Sequence, residues 1–399
     1  MFIIRRSRVE DTGTLLKLAR MVHFINLPPD ESVIHGKILA SRRSFLRVAS
    51  EQYGTRLKLD RLVTRTSRTP KIGGYGGDTE LFMFTLLDLD TGGVLGTSQV
   101  YARMGGAGNP NYYYRVEVEE RFSESLKIGI KHQVARLEAD ESGPAEIGGL
   151  VLQPSYRGHP LKLGRFLSIV RFHFMGLYRS RFADRVLAEM MANIDARGDN
   201  LFWDAIGRKF LGVRYAEADQ FCQFNREFIP ELLPHGPIYL SLLPLKVQNE
   251  VGRVGPETET ARGMLETLGF RHRGCIDPFD GGPYLDAPTD EIPVVRDTVS
   301  APFGQAAAKT KLKRRGIVSH IDSDGEFFAV EDRFGVDGAG KLLVSREVAE
   351  VLHAQPDDKV GVTPLDGAPF GPDRPGSTKR GSPKTTRKST KKSQRKGST

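Results

Sequence analysis

Cysteine is nearly absent from this 399-residue chain, and the two present, Cys222 and Cys275, are too few for a disulfide framework. No CxxC pair and no close Cys/His spacing supplies the ligands of a structural zinc site. No run of about 18 apolar residues occurs, which argues against a membrane-spanning helix, and the opening "MFIIRRSRVEDTGTLL" lacks the apolar core of a secretory leader. The expectation is a protein of the reducing cytoplasm, without a metal centre and without a membrane anchor.

With 39% hydrophobic residues the chain can bury a sizeable core, and its length favours two or three domains. The formal charge of +9 suggests a polyanion partner until it is located. The stretch from Gly371 to the end holds ten Lys/Arg against the single acid Asp373, a net of +9 that accounts for the whole. The rest is balanced. Residues 371–399 are poor in apolar side chains and rich in Lys, Ser, Thr and Gly, so they are expected to be disordered, either simply solvated or binding polyanions weakly and in a salt-sensitive way.

Along the chain, Phe2 to Arg5 reads as a strand, and Leu15, Leu18, Ala19 and Val22 then recur at helical spacing after the caps Asp11 and Thr12. Residues 54–78 read as an irregular insertion. "ELFMFTLLDLDTGGVLGTSQVYA" reads as a hairpin, and "NYYYRVEVE" opens a further segment of strand character that ends at "EIGGLVL". Leu163, Phe166, Leu167, Val170, Phe174 and Leu177 then form one apolar helical stripe, with Lys162, Arg165, Arg171 and Arg179 largely off it. "RVLAEMMA" reads as a strand and "NLFWDAIGRKFLG" as another helix. The short apolar runs of 309–366 suggest a small all-β module.

The junction "EIGGLVLQPSYRGHPLKLGRF", residues 146–166, takes a strand through an Arg-Gly turn into a helix. Helix N-terminal N–H groups, glycine and the fixed charge of Arg157 suit a pyrophosphate, although an ordinary strand-to-helix turn has the same outline. The order of elements around this junction resembles the Gcn5-related N-acetyltransferase (GNAT) fold. "RGHPLKLGR" is similar to that family's acyl-CoA signature, and "ARGMLETLGFRHRG" resembles the closing helix and strand of such a unit. The implied architecture is α+β, a mixed sheet flanked by helices: a complete GNAT-like unit over 1–215, a partial one over 216–308, the β module and the basic tail.

A narrower resemblance rests on "NYYYRV", "RVLAEMMANIDARGDNLFWDAIGRKF", "EADQFC", "FIPELLPHGPIY" and "DPFDGGPYLD", in this order. These runs are similar to the arginine N-succinyltransferase family, over roughly residues 1–365. The resemblance implies succinyl transfer from succinyl-CoA, a co-substrate rather than a bound cofactor, to the α-amino group of L-arginine by direct attack; a related acyltransferase with another amine or acyl-CoA, or a non-catalytic GNAT-like protein with a polyanion-binding tail, is the alternative. It also implies that backbone groups at Leu150, Val151 and Leu152 hold the thioester and pantetheine, with Arg157, Gly158, Gly164 and Arg165 around the pyrophosphate. Glu146 resembles the carboxylate that takes the amine proton. Glu189, an acid within an apolar strand, and Asp280 of "DGGPYLD" are candidates for the amine site, or structural partners. Arg115 and Arg165 are candidates for the succinyl carboxylate.

Two departures stand out. The position at which the family carries a histidine proton donor is Gly255 here, and His235 stands one place earlier than the family's second histidine. His235, with Tyr239 behind it, is the candidate replacement acid. An open mixed sheet with a partial second unit suits a homodimer or a pair with a related subunit.

Overall fold

The computed structural model describes residues 1–21, 27–55, 79–222 and 225–371. The tail beyond Gly371 and most of the insertion read at 54–78 lie outside these residues.

Seven strands build the first part: β1 (Phe2–Arg6), β2 (Leu81–Asp88), β3 (Gly93–Tyr101), β4 (Asn111–Ser123), β5 (Ile128–Asp140), β6 (Ala145–Leu152) and β7 (Arg185–Glu189). Next come β8 (Ile238–Tyr239), β9 (Arg271–Ile276) and β10 (Pro283–Pro288). The last five are β11 (Val299–Ala306), β12 (Arg314–Ile321), β13 (Phe327–Val336), β14 (Leu342–Val344) and β15 (Lys359–Pro364). They pair in the order β12-β15-β11-β14-β13-β1-β2-β3-β6-β7-β10-β9-β4-β5-β8. Most pairs are antiparallel; β6–β7 and β11–β14 are parallel. The architecture is a mixed α/β fold.

Four helices matter for the site: α1 (Thr12–Arg20), α2 (Glu31–Tyr53), α3 (Leu163–Leu177) and α4 (Glu259–Thr267). The period of two in β2 sends Leu81 and Met83 into a cluster with Leu15 and Leu18 of α1, and Phe82 and Phe84 into the main core with Phe174 of α3. β1 is too short to cover all of β2. Helix α2 covers the remainder, its Ser44 and Ser41 hydroxyls accepting the backbone N–H groups of Leu81 and Met83.

Helix α3 carries the apolar stripe read from its sequence, yet it is buried on more than one face. Arg171, placed off the stripe by periodicity, is only 3% exposed, and His173 is fully enclosed. For His173 the cause is the C-terminal segment, with which it exchanges hydrogen bonds of 2.6 Å at Ser319 of β12 and Thr363 of β15; Arg171 faces the other way. That segment is not purely β, because a helix at Arg346–Leu352, capped by Ser345, lies among its strands. It joins the rest of the sheet where β13 pairs with β1. "NLFWDAIGRKFLG" forms two short helices, Leu201–Ala205 and Gly207–Leu211, rather than one.

Candidate active site

The site begins where two parallel strands part. β6 and β7 are paired only at Ala145/Val186 and Glu146/Leu187. Beyond that point β6 carries Gly149 in the left-handed region, at φ +57°, and its register on β3 shifts between Thr97 and Gln99. The bulge leaves the end of β6 without β7 as a neighbour, so its backbone groups are available to a guest.

A cleft of about 760 Å³ fills the gap. Leu150, Val151, Leu152, Arg157, Gly158, Gly164, Arg165, Glu189 and Asp280 all line it. The sequence candidates for acyl-CoA and amine binding are therefore brought together, with Ala261, Met264 and Leu265 of α4 on the opposite flank.

At the outer end, Gly158 (φ +74°) and Lys162 (φ +52°) turn the chain into α3. Lysine rarely adopts this conformation, and its presence directly before a helix start marks a constrained turn. The first N–H groups of α3 have no intrahelical acceptor and favour an anion. Arg165 adds its charge and forms an ion pair of 3.6 Å with Glu331 of β13. Further along, α3 turns Gly164, Ser168 and Arg171 toward the cleft, a spacing of four and three that keeps them on one helical face.

Beyond the inner end, Glu146 does not itself line the cleft, whose lining begins at Ile147; it is 1% exposed and lies opposite Tyr101 across the β3–β6 ladder. Lys37 of α2, equally buried, sits 5.6 Å from the Tyr101 ring centre. Burial brings the Lys37 ammonium down to about 8, against the opposing influence of Glu146. Burial, then the charges of Glu146 and Asp277, push Glu189 well above the carboxylate range. Asp219 is driven to about 7 by burial and by Asp277, with Arg226 acting the other way. Asp277 accepts from the N–H groups of Phe279 and Asp280 at 2.7 and 3.0 Å and from the Tyr284 hydroxyl at 3.1 Å. Lys37 and Arg226 stand among these carboxyls, so the inner end is a mixed cluster of buried charges in which the acids outnumber the cations.

Asp280 has a different use. Its two oxygens accept the backbone N–H groups of Gly282 and Ala192, at 2.7 and 2.8 Å, so it ties the "DGG" turn to the end of β7. It touches the cleft as a strut.

The replacement acid is not brought in. His235 is exposed, does not line the cleft, and precedes β8, the last strand in the sheet order. Tyr239 bonds to Arg121 and Glu119, at 2.7 and 3.3 Å. Gly255 lies against the end of β7: its N–H donates to Met191 at 2.9 Å, and an added Cβ would stand 2.7 Å from the Ala192 carbonyl oxygen. A histidine cannot occupy this position unless the loop moves. Arg115 lies apart from the cleft, in a polar pocket of about 270 Å³ shared with Arg185 and Arg273, and donates to Glu138 at 2.9 Å.

Sequence reasoning missed Asp219, Asp277, Ser168 and Arg171. Asp277 opens the "DPFDGGPYLD" run, so that signal was present. Arg171 had none, because periodicity places it off the apolar stripe and only the fold shows that its face of α3 is turned toward the cleft.

The family model "Arginine N-succinyltransferase beta subunit" matches residues 54–294, which include the cleft strands, the turn and α3. An arginine N-succinyltransferase of Yersinia enterocolitica is 32% identical over 291 residues, covering 72% of this chain and 79% of that protein. One of Yersinia pestis is 37% identical over 218 residues, 54% of this chain and 61% of the relative. The structure described as arginine/ornithine succinyltransferase subunit AI from Pseudomonas aeruginosa superposes with a TM-score of 0.71 at 26% identity, covering 91% of this chain and 98% of that one. Sequence and structure thus agree over the part of the molecule that forms the cleft, and the chain belongs to the arginine N-succinyltransferase family.

Proposed function

We propose that this chain transfers the succinyl group of succinyl-CoA to the α-amino group of L-arginine, giving N2-succinylarginine and free CoA. The observation that carries the reading is the parting of β6 and β7 beside Glu146, within a cleft lined by the Arg157–Arg165 turn. We read strands β1 to β3, β6 and β7 with their helices as the complete GNAT-like unit, and β8 to β10 as part of the second.

In this reading the pyrophosphate lies on the N-terminus of α3 with Arg157 and Arg165, and Gly158 and Gly164 let the backbone approach it. The pantetheine runs along Leu150 to Leu152. Backbone N–H groups near Leu150 and Val151 donate to the thioester oxygen as it becomes negative. Glu146 takes the proton of the arginine ammonium, directly or through water. The amine nitrogen then bonds to the carbonyl carbon, the C–S bond breaks as that nitrogen sheds its second proton to water, and the thiolate takes up a proton from solvent, so neither an enzyme nucleophile nor His235 is required. Glu189, with Asp277 and Asp219 behind it, receives the guanidinium, a bidentate cation that suits paired carboxyls.

A second reading keeps the chemistry and changes the amine. The Pseudomonas relative is described as acting on arginine and ornithine, and Gly255 marks a departure close to the amine side of the cleft. CoA release from succinyl-CoA with L-arginine or L-ornithine separates the two. The words "beta subunit" and "subunit AI" in the names of the relatives support a homodimer or a pair with a related subunit, which light scattering tests. Polyanion binding by the tail is tested by stopping the chain at Phe370.

A further inference from the structure

Arg171 is a charged group without a countercharge among the described residues. It is 3% exposed, its Nε donates to the Ser168 carbonyl at 3.0 Å, and its Nη2 donates to the Ser168 hydroxyl at 2.8 Å. The Phe172 ring lies 5.7 Å away. Among the described residues no carboxylate pairs with it, and burial alone lowers its pKa to about 9. An uncompensated buried guanidinium is costly, and an anion that enters beside it offsets that cost.

The cleft supplies a route for that anion, since both Ser168 and Arg171 line it. The phosphates are not the partner. They belong at the start of α3, and Arg171 stands seven residues beyond Gly164, about 10 Å further along the axis at the rise of an α-helix. This depth is that of the pantetheine and acyl end. The lining contributed by the end of β7 and by α4 includes the apolar Met190, Met264 and Leu265 and the acid Glu189.

We infer that Arg171 receives the terminal carboxylate of the succinyl group and so selects a dicarboxylic acyl-CoA over a monocarboxylic one. The inference rests on the acyl-CoA reading of the cleft. Ser168 fixes the fork of the guanidinium from one side, leaving its other N–H groups for a carboxylate. The burial that makes Arg171 unfavourable in the empty cleft strengthens its attraction for an acyl carboxylate that excludes water.

The test compares Arg171→Met with the parent, using succinyl-CoA and butyryl-CoA, an acyl chain of equal carbon number without the charge. The ratio of kcat/KM for succinyl-CoA to that for butyryl-CoA is expected to fall on the order of 100-fold. The Tm should be unchanged or higher, because a buried lone charge has been removed. Equal losses on both substrates would assign Arg171 to the reacting centre or the pantetheine and overturn the inference, as would an unchanged ratio. Should Arg171→Met fail to fold, Arg171→Lys keeps the charge but loses the fork, and its ratio must still fall. A parent that turns over neither thioester contradicts the proposed reaction. Calorimetric binding of the two thioesters then tests the inference separately: a parent preference for succinyl-CoA that is lost in the variant supports it, and equal affinities overturn it.

Discussion

Glu146 of β6 and Leu187 of β7 are the last residues to face each other before the two strands part. The proposed base therefore stands at the apex of the opening between the two strands. Its burial at 1% exposure and its ladder partner Tyr101 hold it in one place. Glu146→Gln should lower kcat on the order of 100- to 1000-fold with little effect on the KM for succinyl-CoA. A kcat within a fewfold of the parent would remove Glu146 from the proton transfer.

Restoring the family histidine should fail. At Gly255 a Cβ would meet the Ala192 carbonyl at 2.7 Å, and that contact is backbone, which cannot step aside as a side chain can. Gly255→His is expected to destabilise the fold by roughly 1–3 kcal/mol and to give no gain in turnover. Denaturant titration and initial rates on the same preparation check both statements.

The acid end predicts a pH dependence for one substrate only. Asp219 is held near 7 and Glu189 well above the ordinary carboxylate range, so protons compete with a guanidinium as pH falls. The KM for arginine should rise up to about tenfold from pH 7 to pH 6, whereas that for succinyl-CoA should change little. Parallel changes in the two constants would place the titrating groups elsewhere.

His173 links α3 to the C-terminal strands and is held at about 3 by burial, below its ordinary value of 6.5. A depressed histidine contributes stability that is fully present above its unfolded pKa and is lost as pH falls toward the folded one. The parent should lose stability on the order of a few kcal/mol between pH 6.5 and pH 3 from this group alone. In His173→Gln that component should be missing, so the gap between the two proteins in urea unfolding narrows as pH falls. A constant gap would contradict the assignment.

Much of the cleft was legible because its signals are local. An apolar strand, an Arg-Gly turn and a striped helix lie within residues 146–177, and each reads without knowledge of the rest. What escaped depends on contacts distant in sequence. Helix α2 mixes Ser and Arg through its apolar positions because Ser41 and Ser44 serve a strand edge, so periodicity did not reveal it. β5 repeats the alternation of β4 and was absorbed into a single strand segment. Arg171 reads as solvated from its helical spacing, and only the fold turns it into the cleft. His235 was a reasonable substitute in sequence, and the fold carries it to the far edge of the sheet.

The central claim is tested most directly by thiol release from succinyl-CoA with and without L-arginine, using purified full-length protein. The account predicts release that depends on arginine, stops at one equivalent of N2-succinylarginine per thiol, and is weaker with acetyl-CoA. Release that ignores the amine, or no release with arginine or ornithine, would contradict it.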